Sequence, residues 1–208
     1  MADIFELFRK IAPAPAAAAP LTHLVVGLGN PGPNYAHTRH NVGFMALDHL
    51  AAEAGVRIDR ARFRAMTAEA GIGGVRALLM KPETFMNLSG EAVAEAASFY
   101  KIPPENILVL CDDVNFEVGR IRIRRKGSHG GHNGLRNITA CLGSEAFPRI
   151  RIGVGQKPTP EYDLADWVLG RFPVADEACL AERFTETDAA VRLILAGQVD
   201  EAMNRYSK

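Results

Sequence analysis

The sequence predicts an α/β protein, a single-domain three-layer α/β/α sandwich around a twisted mixed sheet, and three observations carry that expectation. Leu24, Val25 and Val26 form a short, partly β-branched apolar run, the signature of a strand buried on both faces, and a glycine-rich turn follows at once. Short apolar or alternating runs then recur between stretches with helical spacing, the pattern of a sheet covered by helices. Finally, 208 residues, 48% hydrophobic and 23% charged, suffice for one globular domain with a sizeable core.

Residues 1–20 read as an extension set apart from the main domain at 21–208. Ile4, Phe5, Leu7, Phe8 and Ile11 share one face of a helix expected over Ala2 to Ala12, and an Ala/Pro linker follows. Asp3 and Glu6 argue against a mitochondrial leader, which is poor in acids, so the extension is a short docking helix or a disordered arm. After the first strand, Val42, Met45, Ala46, His49 and Leu50 recur at helical spacing until Gly55. Phe63 to Ala70 and Val75 to Met80 read as two hairpin strands around Gly-Ile-Gly-Gly, and Pro82 ends the second. Ser89 is the expected cap of a helix through Tyr100, stopped before Ile102-Pro103-Pro104.

Ile107 to Cys111 is the next buried strand. Arg120 to Arg124 alternates Arg with Ile, so one face is apolar and the other cationic. Gly130, Gly131 and Gly134 allow close approach of backbone to a ligand. A helix to Cys141, a strand at Ile150 to Val154, a short helix near Ala165 to Leu169 and a long helix from Asp176 to Leu195 complete the sandwich. There is no internal repeat.

Composition narrows the function classes. No stretch is apolar enough to span a membrane, so no membrane partner is expected. Cys111, Cys141 and Cys179 are odd in number and lack C-x-x-C spacing, which fits a reducing cytoplasm and neither a disulfide framework nor a zinc site. His129 and His132 have no third ligand at sensible spacing, so no metal is expected. The zero net charge conceals a cationic stretch: between Arg120 and Lys157 stand nine Arg or Lys residues against the single acid Glu145. These include Arg122 and Arg124, on a strand leading into the glycine loop, where phosphate binding is favoured over a merely solvated face.

Leu21 to Phe44 concentrates the chemistry. Gly27 to Gly32 reads Gly-Leu-Gly-Asn-Pro-Gly, which bends the chain at the carboxyl end of the strand and exposes Asn30. Gly27, Gly29 and Gly32 match a dinucleotide fingerprint formally, but Pro31 and Pro33 bracket the third glycine where a helix should open, and Asp48 lies inside a helical stretch instead of ending a second strand. No cofactor is expected. The alternative is a hydrolytic site around His40, with Tyr35, Arg39 and Asn41 beside it, Asn87 from an irregular loop, Asp112 from the end of a strand, and His132 and Asn133 from the glycine loop. Singly, each has a bland reading as a cap, turn or loop residue; together they form a base, a carboxylate and neutral amides.

In that order, Gly27-Leu-Gly-Asn-Pro-Gly32, Tyr35, Thr38-Arg-His-Asn41, Thr84-Phe-Met-Asn-Leu-Ser-Gly90 and Gly130-Gly-His-Asn-Gly-Leu135 resemble the bacterial peptidyl-tRNA hydrolase family over about residues 22 to 205. The resemblance implies a translation-linked hydrolase that cleaves the ester of peptidyl-tRNA, acting as a monomer with peptidyl-tRNA as partner. It implies His40 as general base, Asp112 as its supporting acid and Asn30 as the residue linked with preference for a blocked amine. Tyr35, Phe85, Asn87 and Asn133 match substrate-contacting positions, and Met86 and His132 are expected to line the same cleft. The chain departs from the family pattern after Asp112, where Asp-Val-Asn-Phe-Glu-Val-Gly replaces a more typical Leu- and Pro-containing turn. Some relatives of the family are RNA-binding splicing factors, so a noncatalytic RNA-binding module is the competing expectation; His40 and Asp112 together argue against it.

Overall fold

The computed structural model describes residues 19–207; the expected helix over Ala2 to Ala12 and most of its linker lie outside them. Seven strands form one sheet in the order β2-β3-β4-β1-β5-β7-β6. They are β1 (Leu21–Gly27), β2 (Arg60–Arg62), β3 (Ala65–Ile72), β4 (Val75–Pro82), β5 (Ile107–Asp113), β6 (Ile121–Arg124) and β7 (Arg149–Gly153). Strands β4, β1, β5 and β7 run parallel, whereas β2–β3, β3–β4 and β6–β7 are antiparallel. The helices are α1 (Val42–Glu53), α2 (Ser89–Tyr100), α3 (Asn133–Leu142), α4 (Leu164–Leu169), α5 (Val174–Leu195) and α6 (Val199–Tyr206).

Strand β1 is the axis. Val25 packs on one side with Val42, Ala46, Leu47 and Leu50 of α1 and with α5 and α6, while Leu24 and Val26 face Val93 and Ala96 of α2 and Leu135 and Ile138 of α3. All three β1 residues are fully buried, as a parallel strand covered on both faces requires. Because the chain leaves β1 toward β4 on one flank and returns through α2 to β5 on the other, the carboxyl ends of β1 and β5 border a topological switch point, where open α/β sheets bind ligands.

The expected hairpin closes on Gly73 and Gly74 alone, with φ of +59° and +82° and the pair Ile72–Val75 flanking them. Two expectations need correction. Phe63 is not in a strand: Phe63 and Arg64 form the turn between β2, absent from the sequence reading, and β3, with φ of +54° and +50°. A Phe-Arg pair is foreign to such a turn, which normally takes Asn-Gly. Tertiary contacts override that preference, since Phe63 packs against Phe99 and Tyr100 at 5.3 and 5.6 Å and Arg64 pairs with Glu91 and Glu95. Ser89 does not cap α2; its hydroxyl is buried and donates backward to the Met86 carbonyl at 3.0 Å. The terminal helix α6, packed on β6, was also not expected.

Helix α1 approaches the sheet closely enough that a Cβ on Gly43 would lie 2.4 Å from the Leu110 carbonyl oxygen and 2.6 Å from Leu28 backbone atoms. Gly43→Ala is therefore expected to cost about 2 kcal/mol or more and to lower Tm by roughly 4–8 °C, whereas Gly71→Ala, with open space at its Cβ, should be near neutral. Thermal melts of the two variants make the comparison; equal Tm values would show that α1 can move away at no cost.

Candidate active site

The loops after β4, β1, β5 and β7 meet above the carboxyl ends of those strands, joined there by the glycine-rich segment between β6 and α3. Beyond β1, Leu28 still donates its N–H to the Leu110 carbonyl, which carries the turn alongside β5. The Asn41 side chain then clamps the Asn30 backbone twice, accepting from its N–H and donating to its carbonyl at 2.9 Å each. Asn30 Oδ1 accepts the Met86 N–H at 2.8 Å, tying in the loop after β4. With Oδ1 committed, Nδ2 is the end of the Asn30 side chain left for a ligand.

A 3-10 turn over Arg39–Asn41, anchored by the Thr38 hydroxyl on the Tyr35 carbonyl, presents His40. His40 Nδ1 lies 2.7 Å from Asp112 Oδ1, and His132 Nε2 lies 2.9 Å from the same oxygen. His132 also caps α3: its Nδ1 accepts the Leu135 N–H, so this nitrogen bears no proton and Nε2 carries the one given to Asp112. The carboxylate thus receives two imidazole N–H groups. His40 Nδ1–H is consequently the donor of its pair, and its Nε2 is left with a free lone pair.

Asp112 is 3% exposed. Burial alone would raise its pKa, but the two histidines hold it well below the ordinary carboxylate range. For His40, burial pulls downward and the Asp112 charge and hydrogen bond pull upward; the carboxylate wins, and the pKa is raised. Neighbouring Cys111 is pushed by burial to about 12, so it is no nucleophile. His40, Asp112 and His132 are the group among the described residues whose ligand atoms, all within 4.8 Å, come close enough for a metal ion. The hydrogen bonds explain that proximity, since a protonated His132 Nε2 has no lone pair to give.

A cleft of about 720 Å³ takes in Asn30, His40, Phe85, Met86, Asn87, Asp112, His132 and Asn133. Asn133 Oδ1 accepts from Arg136 at 2.6 Å, again leaving an amide NH₂. Phe85 is half exposed and holds φ of +58°, a conformation that costs a non-glycine residue about 1–3 kcal/mol and is typical of ligand sites. Tyr35 does not line the cleft; it stands edge-on to Phe85 at 6.3 Å. A larger hollow beside β3 and β4 contains no such constellation.

Arg122 and Arg124 also lie outside the cleft. They line an adjoining cavity of about 480 Å³ with Lys126 and Arg149, and Asp113, Asn115 and Arg151 border both spaces. The cationic stretch is less uniform than its sequence suggests. Arg149 is 2% exposed and spends its guanidinium on the carbonyls of Gly127, Ser128, Glu145 and Phe147, so it is structural. Arg125 pairs with Asp200. Arg151 belongs to the cationic stretch but was not assigned to the cleft, where it shares a face with Arg122, its register partner; Asn115 and the apolar wall of Leu164, Ala165, Val168 and Leu169 were missed.

Residues 24–208 match the family model described as peptidyl-tRNA hydrolase. Proteins of that name from Agathobacter rectalis and Caldanaerobacter subterraneus are 47% and 48% identical to this chain, over 89% of it and 100% and 99% of their own lengths. A crystal structure of peptidyl-tRNA hydrolase from Acinetobacter baumannii superposes with a TM-score of 0.83 at 36% identity, covering 92% of this chain and 97% of that one.

The Asp112 charge should be visible in the His40 titration. By histidine NMR, His40 is expected to titrate above the ordinary imidazole value of about 6.5, and at a lower pH in Asp112→Asn. A raised His40 pKa gives stability that is complete below about pH 6.5 and lost as pH rises through the folded value. A lowered Asp112 pKa gives stability present above about pH 4 and lost as pH falls. The pH-dependent part of the stability difference between wild type and Asp112→Asn should therefore peak between about pH 4 and 6.5 in denaturant titrations. A difference that stays flat with pH would mean the two groups are uncoupled.

Proposed function

Since the chain belongs to the peptidyl-tRNA hydrolase family and hydrolyses the ester of peptidyl-tRNA to free tRNA and peptide, we propose that this cleft is its active site and that His40 is the general base. One observation carries the assignment: Nδ1 of His40 is engaged by a buried carboxylate, so Nε2, on a residue lining the cleft, is the nitrogen free to take a proton. Water attacks the ester carbonyl and gives its proton to His40 Nε2. Asp112 stabilises the imidazolium formed, and His132 fixes the carboxylate from the other side. When the tetrahedral intermediate collapses, the ribose oxygen leaves and the imidazolium returns the proton to it.

The amides of Asn30, Asn87 and Asn133 hold the carbonyl oxygen and the peptide main chain without reading side chains, as a substrate with arbitrary peptides demands. Asn30 offers a donor, which suits the carbonyl of a blocked amine and repels a free ammonium, itself donor-only. Phe85, with Tyr35 edge-on behind it, and Met86 form the apolar border. Arg122 and Arg124 grip the tRNA phosphates beside the cleft. No helix among the described residues is long and apolar enough to cross a membrane. We read the enzyme as a cytoplasmic monomer whose catalytic domain starts near Leu21, in keeping with its free cysteines.

His40→Ala should cut kcat about 10²- to 10⁴-fold with tRNA affinity largely kept, measured as release of tRNA from N-acetyl-aminoacyl-tRNA. Wild-type activity should fall with decreasing pH through the raised His40 pKa. A variant retaining half the wild-type rate would remove His40 from the base role, and a wild type that binds tRNA but hydrolyses nothing would favour the RNA-binding module. Neutralising Arg122 and Arg124 together should raise KM and flatten its salt dependence at nearly constant kcat, while a substrate with only the terminal nucleotide should be indifferent. Loss of turnover on both substrates would assign those arginines to the fold.

A further inference from the structure

Arg39 directly precedes the proposed base and takes no part in the reaction above. It is buried, 7% exposed, and makes no ion pair within 4 Å among the described residues; burial lowers its pKa, and the more distant Asp176 carboxylate offsets that only in part. Its Nε has no hydrogen-bond partner. A buried cation with an unsatisfied N–H costs desolvation that an apolar side chain would avoid, so fold stability alone does not account for it.

Its guanidinium carbon lies 3.7 Å from the centroid of Trp167 and 5.6 Å from that of Phe172, and Nη1 donates to the Arg171 carbonyl at 3.0 Å. Trp167 stands in the middle of α4, the helix whose Leu164, Ala165, Val168 and Leu169 make the apolar wall of the cleft. At six residues α4 is too short to be stable by itself. Its C-terminal end is tied to the base-bearing turn by main-chain bonds, Arg39 N–H to the Gly170 carbonyl and Phe172 N–H to the His37 carbonyl, each 3.0 Å. Its middle is held by Trp167, through the indole N–H on the Gly155 carbonyl at 2.9 Å and through the ring face on Arg39. The Arg39 guanidinium also lies directly against the end of α4, where a Cβ on Gly170 would come within 2.9 Å of Nη1.

We propose that Arg39 is a positioning residue: stacked on Trp167 and bonded to Arg171, it fixes the α4 wall, against which the peptide end of the substrate packs, in register with the turn that carries His40. The inference rests on reading this cleft as the ester site. A wall that contacts the substrate away from the reacting atoms binds ground and transition states alike, so its loosening appears in KM and leaves kcat in place. Arg39 acts on α4 through its side chain, while the His40 ring is oriented separately by Asp112.

Three variants of the full chain test this on N-acetyl-aminoacyl-tRNA. Trp167→Leu keeps apolar bulk without a π face, Trp167→Phe restores the face, and Arg39→Lys keeps the charge without the planar stack. KM should rise roughly tenfold in Trp167→Leu and Arg39→Lys but only about threefold or less in Trp167→Phe, with kcat and the His40 pH limb near wild type. Trp167 is the single tryptophan of the chain, so its fluorescence reports the stack directly. Emission should shift on adding a non-hydrolysable amide analogue of N-acetyl-aminoacyl-adenosine, and Arg39→Lys should make Trp167 more open to acrylamide quenching. An unchanged KM in all three variants, with or without a lower melting temperature, overturns the proposal. So does a loss confined to kcat, or a Trp167→Phe enzyme as impaired as Trp167→Leu. A wild type that fails to hydrolyse the substrate would fault the reading of the cleft, and the quenching comparison would then decide the stack by itself.

Discussion

The cleft is organised around one costly group, the Asp112 carboxylate, which is 3% exposed near the end of a strand that is apolar from Ile107 to Cys111. Desolvating a carboxylate is unfavourable by several kcal/mol unless donors replace the lost water. Here both donors are imidazole N–H groups on the same oxygen, His40 from one side and His132 from the other. The cost thereby becomes a constraint, because neither the turn at 39–41 nor the amino end of α3 can shift without stripping the charge. His132 meets this demand with both nitrogens, since the one that does not reach Asp112 caps the helix that places it.

Sheet topology explains why such a constraint can be met at all. At a switch point the loops after adjacent parallel strands diverge and leave a crevice, and here those loops follow β4, β1, β5 and β7. Hydrogen bonds then lock loop to loop: Asn41 grips the Asn30 main chain, and Asn30 grips Met86. Asn41 spends both ends of its amide on that grip, and the Met86 link commits the Asn30 oxygen so that its NH₂ is the end left over. Preorganised donors of that kind need no reorganisation when charge develops on a substrate oxygen.

The cations divide by the same logic of satisfaction. Arg149, whose guanidinium is consumed by four main-chain carbonyls, knits the loops around β7 together. Arg151 is drawn against buried Asp113, so it stands at the border between cleft and cationic cavity with its charge partly balanced. Arg122 is exposed on the edge strand, over the ring of Phe116, and with Arg124 lines the cavity beside the cleft. A run of similar residues therefore contains a buried scaffold, a border residue and an exposed cationic pair.

Much of this was legible in the chain itself because it is local. The buried run at Leu24 to Val26, the glycine turn exposing Asn30, the Gly73-Gly74 hairpin and the Ile/Arg alternation of β6 depend on spacing and backbone freedom over a few residues. The motifs at 27–32, 38–41, 84–90 and 130–135 likewise name residues that line the cleft. Tertiary structure alone decided the pairings. That one oxygen of Asp112 serves histidines 72 and 20 residues away, that Tyr35 backs Phe85 from outside the cleft, that Arg149 is spent internally, and that a Phe-Arg turn is tolerated at Phe63 all follow from which groups must be desolvated together. Hydrogen-bond satisfaction in a buried site is a property of groups brought close in space, and no spacing along the chain encodes it.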